Sequence, residues 1–339
     1  MKILSHLDHQ LATNLWKPSF PFQKCFAISR LFTVVTLIFT MGFISLFLPK
    51  AGYTQANLGE RIFRGYEIKT TPENSAWDLF PSKLLYPAYL ANPQRPKFSF
   101  KRLSVDDSQI PETGNSRLHL SAGHRFGLLR YGPWQFDFTA GIFSDFDLDN
   151  SQDNIGWDGI FGWVLSRQLT ESTVAKVGFR HQSSHRGDEF LQRTGVQGMR
   201  LKFPRIDYTR NEFNVGLSHY FFSRLRLYGE VGWASSVNNE EIQDDGRLQW
   251  GSEFTQPYPV WNYPTGFFFA GDFQSLEERD WNVTTNLQTG VFLMEPVTTW
   301  RVGFEFRDGH PVIGEFIQND ETYLGFGLWV DFFDPRNPF

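Results

Sequence analysis

The sequence is short of cysteine and has no excess of basic charge. Cys25 is the single cysteine among 339 residues, which excludes a small fold held together by several disulfides. Lysine and arginine number 32 against 37 acidic residues, so the net charge of −5 offers no basic footprint for a nucleic acid. The mean hydropathy of −0.35 argues against a bundle of membrane-spanning helices.

Only one long apolar run is present, LFTVVTLIFTMGFISLFL at residues 31–48. Lys24 and Arg30 precede it and the small residue Ala56 follows it, which predicts a secretory signal peptide over residues 1–56 that is cleaved near Ala56. A retained transmembrane anchor is the alternative, because 18 apolar residues can just span a bilayer. Cleavage removes Cys25, so we expect an exported chain without disulfides.

Aromatic residues and glycine are abundant, with 36 Phe, 11 Trp, 11 Tyr and 29 Gly, which suits a β protein with aromatic-rich strands. Residues 57–96 are irregular, and LFPSKLLYPAYLANPQRPKFSF at 79–100 carries four prolines that interrupt regular structure. We therefore predict an irregular, Pro-rich periplasmic lead-in over residues 57–96 that plugs or braces the fold.

From residue 97 onward, apolar and polar residues alternate. In WRVGFEFR (300–307) Trp, Val, Phe and Phe share one face, and Arg, Gly, Glu and Arg share the other. Strict alternation indicates a strand with one apolar and one polar face. About twelve segments show this pattern or a weaker form of it: 97–103, 117–130, 135–142, 157–166, 173–185, 207–221, 225–233, 247–255, 267–274, 282–293, 300–307 and 322–333.

Short turns such as QLTES alternate with long polar loops such as NNEEIQDDG between these segments. Together with an even strand number, this predicts an all-β transmembrane antiparallel outer-membrane β-barrel over residues 97–333, with a C-terminal tail over 334–339. Closure is required because an open sheet edge in lipid leaves backbone groups unsatisfied. A soluble β-sandwich is the alternative. If the last strand ends in the periplasm, every long loop lies outside the cell and every short turn lies inside.

The environment expected for such a protein is the bacterial outer membrane. Its expected partners are outer-membrane lipids, lipopolysaccharide and the barrel-assembly machinery, without nucleic acid, and the sequence leaves the oligomeric state open. The polar face mixes charges of both signs, as at Arg301 and Glu305, and twelve strands enclose a narrow lumen. Paired charges should fill that lumen, which disfavours a wide diffusion channel and leaves a narrow selective channel as an alternative.

The stretch GFRHQSSHRGDEF (178–190) places His181 and Ser183 on the apolar face of their segment. Both residues precede a long loop, so we expect them on the lipid-facing wall near the outer leaflet. A period of two brings the two side chains to the same face, where the imidazole can act as a base for the serine hydroxyl. On the neighbouring segment Asn211 also points to lipid and is the candidate that orients the imidazole, with Asp207 as the alternative.

The HQSS stretch resembles the His-x-Ser-Asn motif of outer-membrane phospholipase A, a twelve-stranded barrel with a His, Ser and Asn triad on its outer wall. It is also similar to the His-x-Ser pair of lipid A 3-O-deacylases. The resemblance implies that His181 is the base and Ser183 the nucleophile. Ser184 stands where the motif has Asn, and QRTGVQG (192–198), where the phospholipase has its triad Asn, contains none.

A larger part of the chain resembles a bacterial family known as domain of unknown function 1207. The resemblance is carried by LANPQRPKFS (90–99), RHQSSHRGDEF (180–190) and YTRNEFNVGLS (208–218). That family implies an outer-membrane barrel and supplies no activity. The leading functional hypothesis is a lipid carboxylic-ester hydrolase of phospholipase or lipid A deacylase type. The alternative is a non-enzymatic narrow channel or structural surface barrel, in which His181 and Ser183 bond lipid headgroups or loop backbone.

The hydrolase hypothesis calls for no cofactor. Asp188 and Glu189, next to Gly187, are weak candidates for holding a divalent cation such as Ca²⁺ that bridges lipopolysaccharide phosphates. The alternative reading is an ordinary solvated start to the loop.

Overall fold

The computed structural model describes residues 77–194, 205–222, 224–258, 260, 263–295 and 297–332. Nearly all of this part of the chain is antiparallel β-structure, with one short helix, α1 (Asp188–Thr194). The strands are β1 (Trp77–Leu79), β2 (Phe98–Ser108), β3 (Ser116–Tyr131), β4 (Trp134–Asp147), β5 (Asp153–Gln168), β6 (Thr173–Arg186), β7 (Thr209–Phe221), β8 (Leu225–Val237), β9 (Gly246–Pro257), β10 (Thr265–Leu276), β11 (Val283–Met294), β12 (Thr298–Gly309) and β13 (Glu321–Phe332).

Strands β2 to β13 close into a barrel. Each of these strands pairs with the next along the chain, and β13 returns to pair with β2, where Val330 faces Phe98 and Leu324 faces Ser104. The prediction of a twelve-stranded antiparallel barrel is therefore confirmed, and each of the twelve predicted segments overlaps one strand. The short strand β1 pairs with the end of β3, which extends past the start of β2.

The outer wall of the barrel is apolar. Along β13, Leu324 and Phe326 are exposed whereas Tyr323 is buried. In β5, which is apolar on both faces in sequence, Phe161 points outward with 48% of its surface exposed, while Ile160 points inward and is 4% exposed. A wall of exposed Phe, Leu, Val and Trp around a charged interior is the reverse of a soluble protein. The alternative of a soluble β-sandwich is therefore wrong.

The inner wall carries paired charges. Arg247 Nη2 lies 2.6 Å from Glu212 Oε1 and also contacts Glu230, and Lys176 Nζ lies 2.5 Å from the other oxygen of Glu230. Further buried ion pairs join Arg95 with Asp331, Lys101 with Glu305, Arg117 with Glu321, Arg125 with Asp137 and Arg226 with Glu253. Partners of opposite sign offset the cost of taking these charges out of water. The mixed charges of the polar face thus pair with one another along the inner wall of the barrel.

Residues 85–97 run inside the barrel and fill much of it. The Tyr89 hydroxyl donates a hydrogen bond of 2.6 Å to Glu230 Oε2, and the backbone amide of Leu90 donates one of 2.7 Å to Glu253 Oε1. Leu85, Tyr86 and Tyr89 form one buried cluster with Val174 and Tyr228 of the wall. The segment is therefore bonded to the lumen through both its backbone and its aromatic side chains.

The β12–β13 connection, residues 310–320, folds over the end of the barrel that carries the long loops. Ile313 and Phe316 are buried and pack with Phe190 of α1 and Ile155 of β5. This end of the barrel is covered by its own loops. Within the described residues, no helix is long and apolar enough to cross a bilayer.

Connection lengths follow the predicted alternation with two exceptions. The β9–β10 connection at the short-turn end spans residues 258–264 and is longer than the other turns at that end. The β4–β5 connection at the opposite end shrinks to residues 148–152, since both strands continue beyond their predicted ends.

Several predictions from the sequence fall outside the described residues. These are the signal peptide over 1–56, the first part of the lead-in over 57–76, and the tail over 334–339. They stay predictions.

Glu278 is expected to make the stability of the loop-covered end depend on pH. It is 7% exposed, accepts a 3.0 Å hydrogen bond from the Tyr208 hydroxyl, and lies 3.7 Å from Arg210 Nη1. Burial raises the pKa of Glu278 from 4.5 to about 7, against the lowering effect of Arg210. The folded state therefore holds this proton more tightly than the unfolded state, so the contribution to stability is full below pH 4.5 and is lost as pH rises through about 7. Thermal unfolding of the wild type should shift downward between pH 5 and pH 8 by more than that of Glu278→Gln. Parallel pH curves for the two proteins would contradict this.

Candidate functional site

The candidate site lies on the outer wall of β6, in the half of the strand nearest the long loops. Val177 is exposed on the outer face, and His181 and Ser183 follow it on the same face, each half-buried. Gln182 and Ser184 alternate with them and are buried inside the barrel. The alternation of β6 therefore points His181 and Ser183 toward lipid, as the sequence predicted.

Pairing of β6 with β7 brings Asn211 to His181. The two residues lie directly opposite each other in the ladder, and His181 Nδ1 is 2.7 Å from Asn211 Oδ1. The amide oxygen accepts a hydrogen bond, so Nδ1 carries the proton and Nε2 keeps its lone pair. That tautomer is the one that a base acting through Nε2 requires.

Two neighbours restrain this pair. Asn211 Nδ2 donates a 2.8 Å hydrogen bond to Ser236 Oγ on β8, which fixes the amide with its oxygen toward His181. On the other side, the ring of Phe161 lies 4.5 Å from the imidazole centroid at an interplanar angle of 31°. The imidazole is thus held between an amide and an aromatic ring on the lipid-facing surface.

Ser183 lies one step further along the same face. Among the described residues its hydroxyl makes no hydrogen bond, either to His181 or to another group. Its partner across the ladder on the β5 side is Gly159, and a Cβ placed there would be 3.5 Å from Ser183 Oγ. Gly159 thus leaves room beside the hydroxyl, and the Trp157 ring borders that room, with Cζ3 3.6 Å from the same Cβ position.

The inner face of the same strand anchors a loop. Ser184 Oγ accepts a 2.8 Å hydrogen bond from the backbone amide of Glu315, and Gln182 Nε2 donates one of 2.7 Å to Asp158 Oδ2. Arg186 Nε donates a hydrogen bond of 3.1 Å to the Glu315 carboxylate. Ser184, which replaces the Asn of the phospholipase motif, therefore fixes the β12–β13 loop inside the barrel and does not face the site. Sequence reasoning missed Ser236 and Glu315, because both come from distant strands or loops and carry no local motif.

The remaining residues singled out from the sequence lie apart from the imidazole. Asp207 precedes β7 and pairs with Arg205, with 2.9 Å between Oδ1 and Nη2. Asp188 and Glu189 form the exposed first turn of α1. In the described part of the chain, no group of three or more His, Cys, Asp or Glu side chains is arranged to hold a metal ion.

A closed barrel with a lipid-facing apolar wall and a filled, charged interior defines the class of this protein: it is a bacterial outer-membrane β-barrel. Within that class, the chain belongs to the family described as "Protein of unknown function (DUF1207)", whose model matches residues 60–332. The family resemblance noted in the sequence is thereby confirmed.

Solved structures with a similar fold include two outer-membrane phospholipases. The outer membrane phospholipase A from Escherichia coli matches with a TM-score of 0.50 and 12% identity, over 75% of this chain and 95% of that chain. The calcium-bound dimer of the Salmonella typhi phospholipase matches with a TM-score of 0.50 and 10% identity, over 82% and 98% of the two chains. LpxR from Salmonella typhimurium gives a TM-score of 0.37 at 9% identity, over 70% and 100%. These identities show a shared barrel fold alone. No curated protein matches the sequence.

Proposed function

We propose that this protein is a lipid carboxylic-ester hydrolase in which Ser183 is the nucleophile, His181 the base and Asn211 the residue that orients the base. The observation that carries the proposal is the 2.7 Å hydrogen bond between His181 Nδ1 and Asn211 Oδ1 on the lipid-facing wall, beside an open serine. The half-buried imidazole lies on a lipid-facing apolar wall, where packing alone does not call for an amide partner, whereas a catalytic base needs that restraint.

The reaction begins when His181 Nε2 takes the Ser183 hydroxyl proton as Oγ attacks the carbonyl carbon of a lipid ester. The bond from this carbon to the alcohol oxygen then breaks, and the imidazolium returns the proton to the leaving alcohol. Water, deprotonated by the same nitrogen, releases the fatty acid from Ser183. Asn211 is neutral, so it holds the imidazole in the required tautomer without adding a charge.

The placement of Ser183 supports an ester in the outer leaflet as substrate. Ser183 is three residues from the loop end of β6 at Arg186, which is about 10 Å along the strand. We infer that this position lies near the boundary between headgroups and hydrocarbon, where the ester bonds of phospholipids and of lipid A lie. A narrow channel is less well supported, because residues 85–97 and the paired charges of the wall occupy the lumen.

A covalent serine probe tests the proposal directly. A lipid-tailed fluorophosphonate should modify the purified protein in detergent, and peptide mass spectrometry should place the adduct on Ser183. Ser183→Ala and His181→Ala should stay unlabelled, because one lacks the oxygen and the other lacks the base. Ser252→Ala, which removes another outward serine on β9, is the matched control and should label as the wild type does.

The same preparation should release fatty acid from phospholipid or lipid A, assayed both with Ca²⁺ and with EDTA. An unlabelled wild type that releases no acid under either condition would end the proposal.

A further inference from the structure

A second feature of the outer wall lies where β13 closes the barrel against β2. A cavity of about 450 Å³ opens there between the strands and the loops, and its lining includes Arg102, Ser104, Ser116, Asp149, Phe304 and Phe326. It involves β2, β3, β12, β13 and the β4–β5 turn, so it is separate from the site on β6 and β7.

Arg102 is a cation on a predominantly apolar part of the outer wall, between exposed Phe and Leu side chains. It lies on the outer face of β2, with Phe326 opposite it on β13 and Leu118 opposite it on β3. Its Nη2 donates a 2.8 Å hydrogen bond to Ser116 Oγ, toward the loop end of the barrel. Within the described residues it forms no salt bridge. A lipid-facing arginine is costly unless its charge is matched, so an anion at this position would lower that cost.

Asp149 supplies the opposite charge on the loop side of the same cavity. It lies in the β4–β5 turn, and its Oδ2 accepts a 2.9 Å hydrogen bond from the backbone amide of Ser116. The carboxylate and the guanidinium are therefore both bonded to Ser116, but they form no ion pair with each other in the described part of the chain. The cavity thus presents a cation toward the membrane and an anion toward the loops.

The apolar side of the cavity consists of exposed side chains on β12 and β13. Phe304 and Phe326 are each 53% exposed, and Leu324 beside them is 48% exposed. Phe304 and Phe326 lie level with Arg102 in the strand ladder, and Leu324 lies opposite Ser104, two residues nearer the loop end. A ligand that fits the whole cavity has an acyl chain beside a negative group at Arg102, and a positive group on the loop side at Asp149.

We propose that this cavity binds a zwitterionic glycerophospholipid with a primary ammonium, which is the chemistry of phosphatidylethanolamine. Its phosphate binds Arg102 and Ser116, its ammonium binds Asp149, and an acyl chain lies on Phe304 and Phe326. A trimethylated headgroup has no N–H to donate to Asp149. An anionic lipid without an ammonium, such as phosphatidylglycerol, offers Asp149 only neutral hydroxyls, so both bind less well.

Native mass spectrometry of the delipidated full-length protein tests which lipids bind in this cavity. The probes are diether phosphatidylethanolamine, phosphatidylcholine and phosphatidylglycerol, whose ether bonds cannot be hydrolysed, so that the readout is independent of the proposed esterase activity. The wild type should bind the ethanolamine lipid about tenfold more tightly than either of the others. Arg102→Gln should weaken the ethanolamine and glycerol lipids alike, by about tenfold. Asp149→Asn should bind these two lipids equally.

Arg167→Gln is the matched control, because Arg167 is also an exposed arginine on the outer wall but lies over the Trp134 ring at the short-turn end. It should keep the wild-type preference. Heat-dependent gel migration confirms that each variant is folded. Equal binding of the three lipids by the wild type, a preference for the glycerol lipid, or unchanged binding by Arg102→Gln would each overturn the proposal.

Discussion

Replacing Ser183 or His181 with alanine should lower the rate of ester release at least about 10³-fold, without changing the fold. Ser183→Ala removes the oxygen that attacks the carbonyl, and His181→Ala leaves a hydroxyl that stays protonated near neutral pH. The two residues act in one step, so the double variant should be no slower than either single variant. Because both side chains lie on the outer wall, neither substitution opens a cavity in the core. The measurement is fatty-acid release from mixed micelles, with heat-dependent gel migration to verify folding.

Asn211 variants distinguish an orienting role from a structural one. Asn211→Ala should slow the reaction by about 10- to 100-fold, since the imidazole loses its partner at Nδ1 and samples the wrong tautomer. Asn211→Asp should retain most activity but move the acidic limb of the pH–rate profile to higher pH, because a carboxylate favours the imidazolium. Equal rates for the wild type and Asn211→Ala, or an unshifted profile for Asn211→Asp, would count against this assignment.

Arg247→Met should destabilise the barrel by about 3–5 kcal/mol, because it removes one partner from a buried charge cluster. Arg247 is 3% exposed and donates hydrogen bonds to Glu212 through Nε and Nη2, at 2.9 and 2.6 Å, while it also contacts Glu230. Glu230 retains Lys176 and Tyr89, and Glu212 retains Arg210. The carboxylates of Glu212 and Glu230 are then left with fewer hydrogen-bond donors inside the barrel. Urea unfolding in lipid vesicles measures the loss.

The double variant Arg247→Met with Glu212→Gln should recover a large part of this loss, since it also removes the carboxylate that lost most of its donors, while Arg210 keeps Glu278 nearby. Arg167→Met, at an exposed position on the outer wall, is the control and should change the free energy of unfolding by less than about 1 kcal/mol. An equally small change for Arg247→Met would mean that the charges of the lumen do not hold the barrel together.

Most of the fold could be predicted from the sequence. The alternation of apolar and polar residues in a strand such as β12 shows which residues face lipid and which face the lumen, because successive side chains point to opposite faces. The ends of the strands were predicted less well. β4 continues to Asp147 and β5 begins at Asp153, although the polar stretch 147–154 predicts a longer loop at this place. Ladder hydrogen bonds extend strands into polar sequence once the neighbouring strand is in place.

The candidate site was accessible only in part. The shared face of His181 and Ser183 follows from the period of β6, but Asn211 and Asp207 were both compatible with the sequence as partners of the imidazole. The register between β6 and β7 places Asn211 opposite His181, and Asp207 bonds Arg205 instead. A register depends on the closed sheet and on the loop between the strands, and no local pattern contains it.

The sequence alone determined that this chain builds a lipid-facing barrel and that a histidine and a serine share its outer face, because side-chain direction in a strand depends only on parity. The tertiary structure alone decided three further matters: which residue bonds His181, how the segment 85–97 fills the lumen, and that Arg102 and Asp149 both bond Ser116. Each of these joins groups that are distant along the chain, and their distance is set by strand register and barrel closure.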